Sequence, residues 1–286
     1  MSRHTTPHPR KPNFLFIGAA KTGSSWLYSV MREHPGVFVP AIKDPYFFDR
    51  NYKRGLDWYL RLFKDAPASA KAIGELSHDY LYSPEAARRI KRDLPGVRLI
   101  LCLRSPMEHI ISSYLQMLHA GRTKLPLDGA VRAFPELVDE PSYSRYLPLW
   151  FDLFDRSQFK ILLFDDLRVS PRGFAHEVFD FLGVSKPDSI DYDKVVNAAD
   201  LPRSYLMSKL VGTGTNAARR LGLVRAVGRL KQNPAILRAL YRPVPPVERP
   251  ALGEAERQRL SPYFRDEIGR TAALIDRDLS RWEAAW

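Results

Sequence analysis

A single α/β domain, with a parallel sheet flanked by helices, is the fold class that the sequence predicts. Short apolar runs, Phe14–Ile17, Leu99–Leu103 and the largely apolar Phe159–Phe164, alternate with helix-periodic segments, as doubly buried parallel strands and their crossovers do. A chain of 286 residues with 45% hydrophobic content is long enough to bury one large core. The first apolar run breaks into a small-residue loop that opens a helix, where free N–H groups and the helix dipole favour an anion.

Taken in order, Phe14–Ile17 reads as a strand, and Gly18, Ala19 and Ala20 leave room for a tight turn whose N–H groups can face an anion. Ser24 and Ser25 then open a helix through Arg32, with Leu27, Val30 and Met31 at helical spacing. His34-Pro-Gly36 stops it, and Val37–Ile42 is extended. Leu56, Tyr59, Leu60 and Phe63 again follow a helical period. Ala72–Leu76 is a short strand, and Ser83, as N-cap before Pro84, starts a helix. Arg98–Arg104 forms the second strong strand, and Ser105-Pro106 opens a helix to about His119. Thr123–Pro141, with Pro126, Pro135 and Pro141, reads as irregular and as a border for an acceptor. Ser142–Arg156 suits a helix, Gln158–Leu167 a third strand, and Pro171–Val184 an amphipathic helix closed by Gly183. Leu252–Trp286 reads as a final pair of helices.

The spacing of the first loop sets its chemistry. Gly18 and Gly23 fit the opening of an NTP-binding loop, which continues with Lys and Ser/Thr to reach the terminal phosphates and hold Mg²⁺. Here Lys21 precedes the second glycine and Ser24-Ser25 follow it. That weakens a metal-dependent nucleotide kinase and suits Lys21 to charge on a bridging or 5′-phosphate oxygen, with no metal invoked. At the carboxyl end of a strand, where open α/β sheets gather their ligand contacts, stands Arg104. Ser112 falls on the polar face of the next helix, so the two can converge on one anion, the arginine with a bidentate fork.

Lys21-Thr-Gly-Ser-Ser-Trp26 resembles the 5′-phosphosulfate loop of sulfotransferases that use 3′-phosphoadenosine 5′-phosphosulfate (PAPS), and later stretches narrow the resemblance to heparan-sulfate-type enzymes and their bacterial counterparts. It covers most of Asn13–Val184 and implies a P-loop nucleoside-kinase-like arrangement. Lys21, Thr22, Gly23, Ser24, Ser25 and Trp26 would hold the 5′ end of PAPS, Arg104 and Ser112 its 3′-phosphate, with Arg203 above the nucleotide. Lys43-Asp-Pro-Tyr-Phe-Phe48 is similar to the family's Lys-Glu-Pro-His-Phe-Phe signature, with Asp44 for Glu and Tyr46 for His; its lysine and acid would face the sulfuryl group. An acid at the position of Glu75 is implied as the base that deprotonates an acceptor hydroxyl or amine, with Asp44 as the second choice and His78 and Asp79 as rivals in the same loop. The acceptor implied is a carbohydrate or glycan-containing molecule. The domain would span 13–286, with 1–12 a flexible tail and 205–249 a basic lid or insertion.

Lys plus Arg is 44 against 32 acids, a net charge of +12, so partners should be anionic. The basic residues are scattered over helices and no aromatic-rich nucleic-acid motif is present, which argues against nucleic acid and leaves a non-enzymatic basic glycan-binding module as a rival class. The basic amphipathic stretch within 217–240 offers a peripheral membrane contact. A lone cysteine, Cys102, sits in an apolar run as an inert core residue. With a polar, basic N-terminus, this makes a cytoplasmic protein the default. The oligomeric state stays open.

Overall fold

A computed structural model describes residues 10–194, 200–202, 241–243, 250–284 and 286. Its five-stranded sheet is built from β1 (Phe14–Gly18), β2 (Val37–Phe38), β3 (Ala72–Leu76), β4 (Arg98–Leu103) and β5 (Phe159–Leu163), in the order β2-β3-β1-β4-β5. Every adjacent pair is parallel. β1 and β3 are buried at every position, β1 as its unbroken apolar run requires and β3 with Glu75 enclosed among apolar neighbours.

The helices are α1 (Ser24–Glu33), α2 (Leu56–Leu60), α3 (Pro84–Asp93), α4 (Pro106–His119), α5 (Leu127–Ala133), α6 (Glu136–Asp139), α7 (Leu147–Leu153), α8 (Phe164–Val169), α9 (Pro171–Leu182), α10 (Glu254–Ile275) and α11 (Ser280–Glu283). Ser83 caps α3 by accepting the Ala86 N–H at 3.1 Å, ahead of Pro84 in the first turn. Ser170 caps α9 through Gly173, and Gly183, at φ +69°, ends it in a left-handed turn.

The described chain divides into two compact units. The first holds the sheet. On one face Phe14, Phe16, Ile100, Cys102 and Leu162 pack with Trp26, Leu27, Val30 and Met31 of α1 and Phe174, Val178, Phe179 and Leu182 of α9. The alternate residues Leu15, Ile17, Leu99, Leu101 and Leu103 are also 0% exposed, so the second face is covered as well. Burying each such side chain contributes about 1.5–3 kcal/mol. The second unit contains α4, α5, α6, most of α10, α11 and a two-stranded antiparallel ribbon, β6 (Asp200–Pro202) with β7 (Tyr241–Pro243). Within it, Glu256 of α10 is 4% exposed and pairs with Arg132 of α5 and with Arg259. Burial would raise its carboxyl, but those hydrogen bonds hold it below the usual range.

Three stretches differ from expectation. Thr123–Pro141 forms α5 and α6, because Pro126 and Pro135 stand just ahead of the helices, where the missing N–H costs nothing. Ser142–Arg156 shortens to a 3₁₀ turn at Tyr143–Arg145 followed by α7. The third strong strand ends at Leu163, where Phe164–Val169 turns helical. Arg203, the lid of 205–249 and the 217–240 membrane contact lie outside the described residues, apart from the 241–243 strand. Among the described residues no helix is long and apolar enough to cross a membrane.

At Gly74 a Cβ would lie 2.2 Å from the Phe14 carbonyl oxygen and 2.6 Å from the Phe14 ring, so β1 and β3 can pair only if residue 74 has no side chain. Gly74→Ala should lower stability by about 1–3 kcal/mol, seen as a lower urea midpoint at an unchanged slope; a midpoint equal to the parent's would show that the strands yield freely.

Candidate active site

From β1 the chain runs to β2 and β3 on one side, then crosses to β4 on the other. Ligands of open parallel sheets bind outside the carboxyl ends of the strands at such a reversal. The loops after β1, β2 and β3 and the end of β4 come together here. A Cβ on Gly18 would meet the His78 carbonyl oxygen at 2.9 Å and Leu81 Cβ at 2.8 Å. The β1 loop and the β3 loop therefore touch, and glycine is the residue that lets them.

The first loop is shaped from within. Ala19 N–H donates to Cys102 O at 2.8 Å and Ala20 N–H to Tyr82 Oη at 3.1 Å. Those two groups thus hold the turn rather than face an anion. Thr22 Oγ1 donates back to Ala19 O at 2.7 Å, and Thr22 is 1% exposed. Lys21 takes a left-handed φ of 61° and stays partly exposed, and Gly23, at φ 86°, is the N-cap of α1 without a side-chain cap. The first-turn N–H groups at Ser24 and Ser25 have no acceptor within the helix, the usual basis of an anion site. Trp26 points inward, 7% exposed, with Nε1 donating to Tyr192 O at 3.2 Å and its ring edge-on to Phe174. It anchors the helix under the loop. Beyond β4, Arg104 is 8% exposed, donates Nη1 to Lys21 O at 3.0 Å and lies with Cζ 4.4 Å from the Phe164 ring centre. Its own backbone is pinned by Tyr143 Oη, which donates to Arg104 O at 2.9 Å.

The β2 loop carries the charged cluster. Asp44 N–H donates to Leu76 O at 3.1 Å, which sets the loop against the end of β3. Lys43 Nζ lies 2.8 Å from Asp44 Oδ2, and His78 Nδ1 lies 2.9 Å from Asp44 Oδ1. On the other side of the imidazole, Nε2 is 3.1 Å from Tyr46 Oη and 3.3 Å from Asp79 Oδ1. Arg50 pairs with Asp79 and covers the Tyr46 ring at 4.1 Å. Burial would raise the Asp44 carboxyl, but the His78 hydrogen bond and charge, with Lys43, pull it below the usual carboxylate range. Burial and the charges of Asp44 and Asp79 push the Tyr46 hydroxyl up. Among described non-glycine residues four have positive φ, and three of them, Lys21, Asp44 and Tyr46, belong to this site; such strain costs of order 1–3 kcal/mol each and collects at functional sites.

The Asp44–His78 contact is not visible from spacing, since it joins two loops about thirty residues apart. The only sequence signal is that Ser77-His-Asp-Tyr80 follows a strand. Ser112 lies on α4, partly exposed, while its neighbour Ser113 turns inward toward His109.

Glu75 is turned away from the crevice. It is 1% exposed, accepting from Ser77 Oγ and Tyr80 Oη at 2.7 Å each. Those hydroxyls in turn accept the N–H groups of Tyr46 at 3.1 Å and of Phe47 at 2.9 Å. The carboxyl so placed meets no acceptor from solvent; instead it holds the backbone of the loop that bears Asp44. Burial outweighs these hydrogen bonds and raises its pKa to about 8. The folded state then keeps a proton that the unfolded chain releases near its ordinary 4.5, so stability should fall as pH rises from about 4.5 to about 8. Glu75→Gln cannot titrate and should lose this slope. Denaturant melts of both proteins across that window should diverge with pH, and an offset that stays constant would mean the carboxyl is equally ionised folded and unfolded.

A family model described as "Sulfotransferase domain" matches residues 11–199. Human heparan sulfate glucosamine 3-O-sulfotransferase 6 is 33% identical over 189 residues, which cover 62% of this chain and 54% of that protein. Human bifunctional heparan sulfate N-deacetylase/N-sulfotransferase 3 is 29% identical over 199 residues, covering 61% and 22%. The matched region thus spans about half or less of these curated relatives. A sulfotransferase from Alicyclobacillus acidocaldarius has the same fold, with a TM-score of 0.68 over 96% of this chain and 99% of that one, at 23% identity. The family match takes in the Gly18–Gly23 loop, the Asp44–His78 cluster and Arg104 alike, and the chain belongs to the sulfotransferase family.

Proposed function

We propose that this protein transfers the sulfuryl group of PAPS to a hydroxyl or amine of a carbohydrate acceptor. The observation that carries this is the Arg104 side chain joined to the carbonyl of Lys21, which puts a guanidinium and an ammonium-bearing loop at one strand-end crevice. The loop suits a phosphosulfate: glycine where a side chain would clash, a left-handed Lys21, and an uncapped helix start. Lys21 would neutralise charge growing on the leaving 5′-phosphate, as fixed cations do in phosphoryl transfer. The main-chain N–H groups from Gly23 to Ser25 would hold the same phosphate, and Thr22 and Trp26 would act from beneath as braces. For the 3′-phosphate we assign Arg104, with Ser112 and Arg203 retained from the sequence resemblance. PAPS supplies the activated sulfuryl group, and the proton-accepting centre lies at Asp44 and the groups bonded to it, with Lys43 beside the sulfuryl oxygens and Glu75 as support.

A carbohydrate acceptor is favoured by the heparan-sulfate names of the relatives and by the net charge of +12. The cytoplasm is our proposed location, resting on the single buried Cys102.

Calorimetry with 3′-phosphoadenosine 5′-phosphate (PAP), against AMP and against ATP without metal, tests the nucleotide. Binding should need the 3′-phosphate and weaken in Arg104→Ala; equal binding of AMP would sink the assignment. Radiolabelled PAPS offered with heparan sulfate should label the polysaccharide, and Lys21→Ala should slow this by about 10²-fold or more. Normal turnover in that variant would remove Lys21 from the transition state.

A further inference from the structure

We infer that a groove along α10 holds a segment of an anionic glycan, at a site that shares no residue with the nucleotide crevice. The ligand class rests on the carbohydrate acceptor of the proposed function, and the groove is read from its own residues. It encloses about 390 Å³ and is lined by Glu254, Arg257, Gln258, Ser261, Arg265 and Trp286, all within the second unit.

Arg257, Ser261 and Arg265 recur at every fourth residue and so share one side of the helix. With a rise of 1.5 Å per residue, the row they form is about 12 Å long. That is too long for a single sulfate or phosphate ion and suits an extended chain bearing several charges. Among the described residues neither guanidinium has a hydrogen-bonded or charged partner. Arg259, on the next row of the same helix, is by contrast tied to Glu256 at 2.6 Å. Arg257 is half-buried and Arg265 exposed, so both forks are open to a carboxylate or sulfate that can take two parallel N–H bonds. The acid in the groove, Glu254, accepts Gln258 Nε2 at 2.7 Å, which leaves two cations against one carboxylate.

The neutral groups favour sugar over other polyanions. Pro262 stands inside α10 and has no N–H, so the carbonyl of Gln258, four residues back, lacks its helical donor. With the Ser261 hydroxyl, this gives the groove an acceptor and a donor for sugar hydroxyls. Trp286, 7% exposed, forms a wall and stacks on Phe264 with ring centres 4.5 Å apart. No hydrogen bond ties its Nε1 among the described residues, so the ring can turn its N–H to a ligand oxygen without breaking one. Single-stranded nucleic acid calls for open rings on which bases stack, whereas this ring lies against the protein. A membrane surface calls for an apolar face, and none of the exposed large apolar residues lines the groove.

Calorimetry of the full chain with a heparan sulfate oligosaccharide, in the absence of PAPS, should show binding that Arg257→Ala combined with Arg265→Ala weakens by about tenfold. PAP should bind this variant as it binds the parent, which shows that the fold is kept. Arg61→Ala combined with Arg88→Ala removes the same charge from exposed positions outside the groove and should leave heparan sulfate binding within about twofold. In turnover the groove variant should raise KM for heparan sulfate and leave kcat unchanged, and neutral dextran should not bind the parent. The inference is overturned if the parent ignores heparan sulfate or binds dextran equally, if the groove variant binds like the parent, or if the control pair loses as much. It is also overturned, in favour of a membrane contact, if phosphatidylserine vesicles bind in an Arg257- and Arg265-dependent way and heparan sulfate does not. A parent that binds no PAP but holds heparan sulfate through these arginines would sink the transferase reading and keep the groove; PAP binding with an unimpaired groove variant would sink this inference alone.

Discussion

The close approach of three backbones around Gly18 is the constraint on which the rest depends. Gly18 ends β1 where its Cα has no room for a side chain between Leu81 and the His78 carbonyl. β1 lies between β3 and β4, so whatever follows these strands is delivered to the same place. Parallel pairing makes that delivery cumulative: three strands pointing the same way end together, and each contributes its loop at its carboxyl end. A guanidinium from β4, an ammonium from the β1 loop and an imidazole from the β3 loop are thereby assembled without any of them being adjacent in sequence.

Around this crevice two carboxyls have been given opposite environments. Glu75, sealed in β3 with hydroxyl partners, is pushed toward the neutral form. Asp44, one loop away, is held ionised by an ammonium and an imidazole. Divergent surroundings of this kind push the protonation of two neighbouring carboxyls apart. The connection between the two is mechanical. Glu75 fixes Ser77 and Tyr80, and their oxygens fix the peptide groups of Tyr46 and Phe47, so the strained turn at Asp44 and Tyr46 is held from below by a residue that never reaches the surface.

Much of this architecture was legible in the sequence because it rests on local patterns. The strands β1, β4 and β5 announced themselves as largely apolar runs, and the Gly18–Gly23 loop by its small residues before a helix. Arg104 was readable from its place at a strand's end. What pattern reading left out arises from pairing at long range. The inward turn of Glu75 follows from the alternation of β3, and only the neighbouring strands reveal which face is sealed. Trp26 sits among small polar loop residues yet packs on Phe174, far along the chain. The prolines of 123–141 read as breakers, whereas their places just ahead of α5 and α6 make them helix starters.

The left-handed backbone at residue 44 bears on the choice of acid there. Asp tolerates positive φ far better than a residue with a longer side chain, because its short carboxyl can bond locally. The turn that aims this position at His78, with φ 57°, thus discriminates against Glu. An acid one methylene shorter surrenders reach, and here its Oδ1 lies 2.9 Å from the His78 imidazole. The turn at residue 44 and the loop that carries His78 are thereby fastened to each other: a longer acid would fit only if the turn relaxed, and the contact with the imidazole would move with it.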